Sequence, residues 1–311
     1  MTKYARILMS VAATPWAMQP EKLAAMMQIL RFAAIGGKLT AEEIEHRLDA
    51  ARIHPNTDKA IANRPGNIAL LPLRGVISNR ASMIEDVSPG AGTSVEKFTQ
   101  AFRSAMANDQ IKAIIIDVDS PGGNVQGVPE LADEIYNARG SKPVVAQVNA
   151  LCASAGYWIA SACDEIVVTP SGEVGSIGVY TIHEDISQYL TQLGVKETMV
   201  SAGKYKTEGN PFEPLSDEAR VALQASVDDF YGMFVDAVAK HRGATSSDVR
   251  NGYGQGRMVR APQAVTMNMA DRLGTLTDTL ARWGIKLNGK TNAKAETPRL
   301  NLAKRELDLI A

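Results

Sequence analysis

Three apolar runs in the middle of the chain each lead into a turn built from glycine and serine, and this alternation restricts the fold more than any other feature. Lys112–Val118 (KAIIIDV) reads as a buried strand and is followed by Asp119-Ser120-Pro121-Gly122-Gly123. Pro143–Val148 leads to Ala153-Ser154-Ala155-Gly156-Tyr157, and Glu165–Thr169 precedes Gly175-Ser176-Ile177-Gly178-Val179. Helical periodicity fills the intervals. Val95, Phe98, Ala101, Phe102 and Ala105 share a face behind a capping pair read at Thr93 and Glu96, Val128–Ala138 is a second helix, and Ser154–Ala162 is a third, of small residues. Strands alternating with helices predict βαβ units and a mainly parallel sheet. The carboxyl ends of parallel strands line one edge, where ligands bind, so the three turns are expected to lie together.

The flanks read differently. Residues 1–60 are expected to form a helical segment: Pro20 precedes the periodic set Leu23, Met26, Met27 and Leu30, and Thr40 with Glu43 makes a capping box for a second helix. His54 to Gly66, with Pro55 and Pro65, reads as a linker, Asn67–Ile77 as a strand, and Arg80–Gly92 as a loop. Ser216 starts a long amphipathic helix through about Lys240, with Ala219, Ala222, Phe230, Phe234 and Val238 on one side. Pro262–Leu273 and Leu276–Trp283 complete the globular part. The expected division is 1–60, a catalytic domain over 67–284, and a polar tail over 285–311.

Charge and composition exclude several functions. Lys plus Arg number 33 against 34 Asp plus Glu, a net charge of −1, which rules out a nucleic-acid binder held by bulk charge. Aromatics at 5% argue against a stacking platform for single strands. No apolar run approaches the ~18 residues of a membrane span. Ile7–Ala13, behind Lys3 and Arg6, is interrupted by Ser10 and short for a signal sequence. Cys152 and Cys163 cannot build a disulfide framework and read as small core residues in a reducing compartment. The expectation is a cytoplasmic protein with no membrane or nucleic-acid partner and no cofactor or metal.

Ser154 is the candidate nucleophile, because a strand hands over to a helix there and a helix N-terminus favours developing negative charge. An N-cap serine looks the same by position. A serine nucleophile also needs a base. Of four histidines, only His183, with Asp185 nearby, is a credible one. Lys204 and Lys206 lie two apart on what reads as an extended segment, so they would share a face, and spacing does not choose between them. A lysine acts as a base only where desolvation lowers its pKa from about 10.4.

Taken in order and spacing, SPGG, ASAGYW, EVGSIGV and GKYKTEGNPFEPLS resemble the signal peptide peptidase A (protease IV) family of serine peptidases, over roughly Asn67 to Gly284. The resemblance implies an α/β fold of the ClpP/crotonase type and a Ser–Lys dyad. It assigns Ser154 as nucleophile, Lys206 as general base, Ser176 as the serine that holds the lysine, and the N–H groups of Gly123 and Ala155 as the oxyanion hole. His183 and Lys204 stand as alternative bases.

The absence of a readable anchor, together with TPWAMQPEKL near the start, resembles the soluble branch found in tailed phages and prophages. That branch implies a head-maturation protease, in the host cytoplasm or the assembling procapsid, acting on scaffold, portal or major capsid proteins. A homo-oligomer is implied too, with a site completed by a lysine of the same or a neighbouring chain. Bacterial peptide clearance, a crotonase-like acyl-CoA enzyme and an inactive assembly protein are the competing readings. Alanine-rich surroundings with few aromatics suggest a narrow apolar cleft for small residues.

Overall fold

In the computed structural model, which describes residues 14–34, 40, 43, 62–64, 67–80, 92–252 and 255–284, the apolar runs become the centre of a sheet. Its first elements are β1 (Trp16–Met18), α1 (Pro20–Ala34), β2 (Ala62–Arg64), β3 (Ile68–Arg74), β4 (Val76–Ser78) and β5 (Gly92–Ser94). There follow α2 (Val95–Ala107), β6 (Ala113–Ser120), β7 (Gly122–Asn124), α3 (Val128–Asn137), β8 (Val144–Ala153), α4 (Ala155–Ser161), β9 (Glu165–Val168) and β10 (Glu173–Gly175). The last are α5 (Ser187–Gln192), α6 (Asp217–Arg242), α7 (Ser246–Gly252), β11 (Met258–Arg260), α8 (Ala261–Thr266), β12 (Arg272–Leu273) and α9 (Leu276–Ala281).

β6 is the spine. It runs parallel to β3 on one side and to β8 on the other, and its residues 113–118 are all buried. A strand covered on both faces is why this run is continuously apolar rather than alternating. Asp117 is the exception. It is fully buried, and Arg74 of β3 and Asn149 of β8 hold its carboxylate.

β8 is long enough to pair twice on its far edge. Val145–Val148 lies parallel to β9, and Leu151–Ala153 lies parallel to β10. The chain therefore reaches Ser154 and Gly175 at adjacent strand ends. A second sheet, in the order β1-β7-β4-β5, sits over this edge. Helices α2, α3, α4 and α6 close the core, with Trp158 stacked on Phe234 at 4.4 Å between ring centroids.

Several local expectations change. The cap of α2 is Ser94, whose Oγ accepts from Lys97 N–H at 3.3 Å, while Thr93 Oγ1 donates to Arg74 O at 2.8 Å. The cap is therefore one residue later than Thr93. Gly75, at φ 64°, breaks the 67–77 run into β3 and β4. Ala62–Arg64, read as linker, forms an antiparallel strand on β3. Trp16–Met18, inside the stretch read as helical, is a strand. Thr40 and Glu43 exchange the reciprocal bonds of a capping box.

Ser216 caps α6 through Ala219 N–H at 3.1 Å, as expected. Only the second half of that helix is well buried. Phe234, Val235 and Val238 are in the core, whereas Ala222 is exposed. The signal-sequence candidate at 7–13 and the tail from 285 lie outside the described residues. Among the described residues no helix is long and apolar enough to cross a membrane.

Candidate active site

Ser154 stands between β8 and α4 with φ 53° and ψ −117°. Side chains avoid positive φ because Cβ meets the carbonyl, at a cost of roughly 1–2 kcal/mol. Its hydroxyl makes no capping bond to the helix, so the ordinary N-cap role is not what the residue performs. Oγ instead donates to Gly178 O at 3.4 Å, and Ser154 N–H donates to Gly175 O at 2.7 Å. A serine on a sharp strand-to-helix turn is held away from its own helix and turned towards the sheet edge. Ser154 is 1% exposed.

Ser176 follows β10 and also has positive φ, 55°. It is buried, and its N–H donates to Arg257 O at 2.8 Å. Five non-glycine residues among those described have positive φ, and the other three are Asn67, Gln255 and Asn268. Two of five thus fall on the serines that the sequence singled out. Backbone strain of this kind concentrates at functional sites.

The third turn supplies the glycines. Gly122 has φ 97°, and a Cβ there would meet Ala17 O at 2.2 Å and Ser154 Cβ at 3.0 Å. A Cβ on Gly123 would lie 1.9 Å from Ile77 O. Only glycine lets β7 pass this close to both neighbours. Ala155, the first residue of α4, is fully buried next to Ser154. Ser154, Ala155, Ser176, Gly122 and Gly123 therefore converge at one edge, as the three successive turns suggested.

The base candidates lie on the stretch between β10 and α6. Lys204 to Gly209 is a series of turns, not an extended segment, so the two lysines do not share a face in the way a strand would impose. Lys204 Nζ donates to Glu218 Oε1 at 2.7 Å and Tyr205 Oη at 3.0 Å, and these contacts raise its pKa. A lysine held as ammonium this way is a poor base. The Lys206 side chain is exposed on the same turn. His183 Nε2 lies 3.0 Å from Asn210 O, and Asp185 Oδ1 accepts from Ser187 N–H at 2.9 Å. The carboxylate that a triad would aim at His183 is thus used to start α5; its pKa is lowered chiefly by the contacts with Ser187.

One contributor was missed in the sequence. β1 lies antiparallel to β7, with Ala17 opposite Gly123, and Trp16 bridges to Tyr180 on its other side. The sequence holds only an indirect signal: Pro15 and Pro20 favour extended backbone at Thr14 and Gln19, which flank the segment without belonging to it. A cavity of about 380 Å³ opens at the end of this strand, lined by Met18, Ser176, Ile177, Tyr180, Val227 and Tyr231 among others.

This layered α/β arrangement, with parallel strands delivering their carboxyl ends to one edge, is a fold of the ClpP/crotonase class. The profile of Peptidase family S49 matches residues 137–288. The chain is 31% identical over 272 residues to head-tail preconnector protein GP5 of Enterobacteria phage P21, covering 83% of this chain and 53% of that protein. It is 30% identical over 249 residues to capsid assembly protease C of Escherichia phage lambda, covering 80% and 56%. Protease 4 of Salmonella typhi is 29% identical over 225 residues, with 72% and 35% covered. The chain belongs to peptidase family S49. It spans about half the length of the phage relatives it matches.

Proposed function

We propose that this chain is a serine endopeptidase in which Ser154 is the nucleophile and Lys206 the general base. The observation that carries the reading is the strained turn that holds Ser154 against Gly122, the neighbour of Gly123, and just ahead of Ala155. Attack by Oγ on a peptide carbonyl would place the oxyanion against the N–H groups of Gly123 and Ala155. The base takes the Oγ proton and returns it to the leaving amine, and water then hydrolyses the acyl-enzyme. Ser176 is assigned to hold the lysine.

Lys206 is exposed within a single chain, and the stretch around it displays Tyr189, Leu193, Met199, Val200 and Tyr205 to solvent, Val200 at 95%. Apolar groups at this density on one arm favour burial against another protein surface. We therefore assign the arm to a second copy of the chain, whose Ser154 its Lys206 would serve. Covering the arm would also remove water from the ammonium, as a lysine base requires.

The substrates proposed are proteins of an assembling phage head, because relatives covering most of this chain are named as a capsid assembly protease and a head-tail preconnector. The site of action would then be the host cytoplasm. A signal-peptide-peptidase-like role is the second reading, supported by the protease 4 relatives. A fluorophosphonate probe tests the chemistry. Labelling is expected on Ser154 of the wild type and absent in Ser154→Ala, and wild-type protein that cleaves substrate without labelling at Ser154 overturns the assignment.

A further inference from the structure

The strand β1 lies against the glycines of the candidate site, with Ala17 opposite Gly123. Gln19 N–H donates to Pro121 O at 3.0 Å, and Val125 N–H donates to Pro15 O at 3.4 Å. These bonds flank the Ala17–Gly123 pair by two residues on either side. Hydrogen-bonded pairs recur every second residue in an antiparallel ladder, so Ala17 and Gly123 form such a pair and Gly123 N–H faces the Ala17 carbonyl. Gly123 N–H is the donor assigned above to the oxyanion. Ala17 O and Ser154 Cβ also crowd one point beside Gly122, at 2.2 and 3.0 Å.

The other edge of β1 is bound as well. Trp16 N–H donates to Tyr180 O at 2.7 Å, and Tyr180 N–H donates to Trp16 O at 3.0 Å. The segment is therefore clamped between β7 and the stretch after Ser176, as a peptide is held when it adds a strand to a sheet.

We infer that Trp16–Met18 is a built-in pseudo-substrate: it fills the peptide groove in the register of a substrate, with Ala17 in the position of the residue whose carbonyl is attacked, and an incoming peptide must displace it. The inference rests on the reading of Ser154 as nucleophile. The seat itself specifies the ligand, an extended peptide with a small residue at the attacked carbonyl, since Ala17 is fully buried against Gly122 and Gly123. The preceding position accepts a large apolar side chain, as Trp16 does. The fit is incomplete, because Gln19 Oε1, Asn124 Nδ2 and Tyr180 Oη are buried along the strand with no hydrogen-bond partner among the described residues. Unsatisfied groups of this kind favour exchange for a better-matched strand.

The test measures binding of a synthetic peptide of residues 14–19 to the Ser154→Ala chain, so that no chemistry is needed. Trp16→Cys with Tyr180→Cys is added to lock the strand, because facing residues of a hydrogen-bonded pair sit within disulfide reach. Cys152 and Cys163 are buried and leave the new pair alone. Oxidation is expected to weaken peptide binding at least tenfold, and reduction to restore it. As a second variant, Trp16→Ala should loosen the strand and tighten peptide binding at least tenfold over the Ser154→Ala parent. Equal binding in the locked and reduced states, or binding in neither, overturns the inference. Failure of Ser154 to label in the wild type is a separate result, and it would strike the nucleophile assignment instead.

Discussion

Ser154 N–H donates to the carbonyl of Gly175 at 2.7 Å, which ties the candidate nucleophile to the residue just before Ser176. The bond forms because β8 outlasts β9 and pairs with β10 at its last three residues. Both serines then leave their strands with positive φ. The strain is local and can be measured. Ser154→Ala keeps a Cβ at φ 53°, whereas Ser154→Gly does not, so the glycine variant is expected to be about 1 kcal/mol more stable than the alanine variant. Denaturant melts of the two compare them directly, and a glycine variant less stable than the alanine one would show that the turn is relaxed. Neither variant should cleave protein.

Gly123→Ala tests the close approach of β7 to β4. The new methyl would sit 1.9 Å from Ile77 O, a backbone atom that cannot swing aside. Strands must separate, at about 1–3 kcal/mol for overpacking of this kind. Because the same peptide carries the N–H proposed for the oxyanion, catalysis should fall by more than the loss of folded protein explains. Melting temperature and turnover measured on one preparation separate the two effects.

His241 gives the fold a pH dependence unrelated to the active site. It lies in the last turn of α6, where a helix dipole would favour its cation. Packing wins: the ring is buried, stacks on Tyr136 at 4.8 Å, and lies 2.9 Å from Ser161 Oγ through Nδ1. Burial, then the charges of Arg139 and Lys240, push its pKa down to about 4 from an ordinary 6.5. Between those values the unfolded chain binds a proton that the folded chain refuses. Stability is therefore full above pH 6.5 and falls as the pH drops towards 4, by about 3 kcal/mol from this group. Unfolding midpoints across that range check it, and His241→Gln should flatten the slope.

What could be read beforehand follows from burial. The runs at 113–118 and 144–148 are apolar because both faces of the sheet are covered, and a pattern that strong survives without any partner being known. The convergence of the glycine and serine turns followed from parallel topology alone. Trp16–Met18 was not legible as a strand, since three residues carry no period and their pairing partner lies more than a hundred positions away. The turns around Lys204 and Lys206 were misread for a related reason. Their geometry is set by Gly203 and Gly209, both at positive φ, and by contacts with Glu218, rather than by alternation in the segment itself.

The placement of Lys206 leads to the last prediction. If each site joins Ser154 of one chain to Lys206 of another, then Ser154→Ala and Lys206→Ala chains are each inactive alone but complementary when mixed. In a closed ring with a head-to-tail interface, random assembly of equal amounts gives about a quarter of sites both groups, so about a quarter of wild-type activity should return. A dyad confined to one chain gives none, because no chain in the mixture carries both residues. Dissociating and reassembling the mixture before assay removes the objection that subunits exchange slowly. The exposed Val200 supplies the control: Val200→Asp should weaken the proposed contact and lower recovered and wild-type activity together, while the melting of the individual chain stays unchanged. Recovery that is absent after reassembly, with each parent oligomer intact, would place the base within the same chain as Ser154.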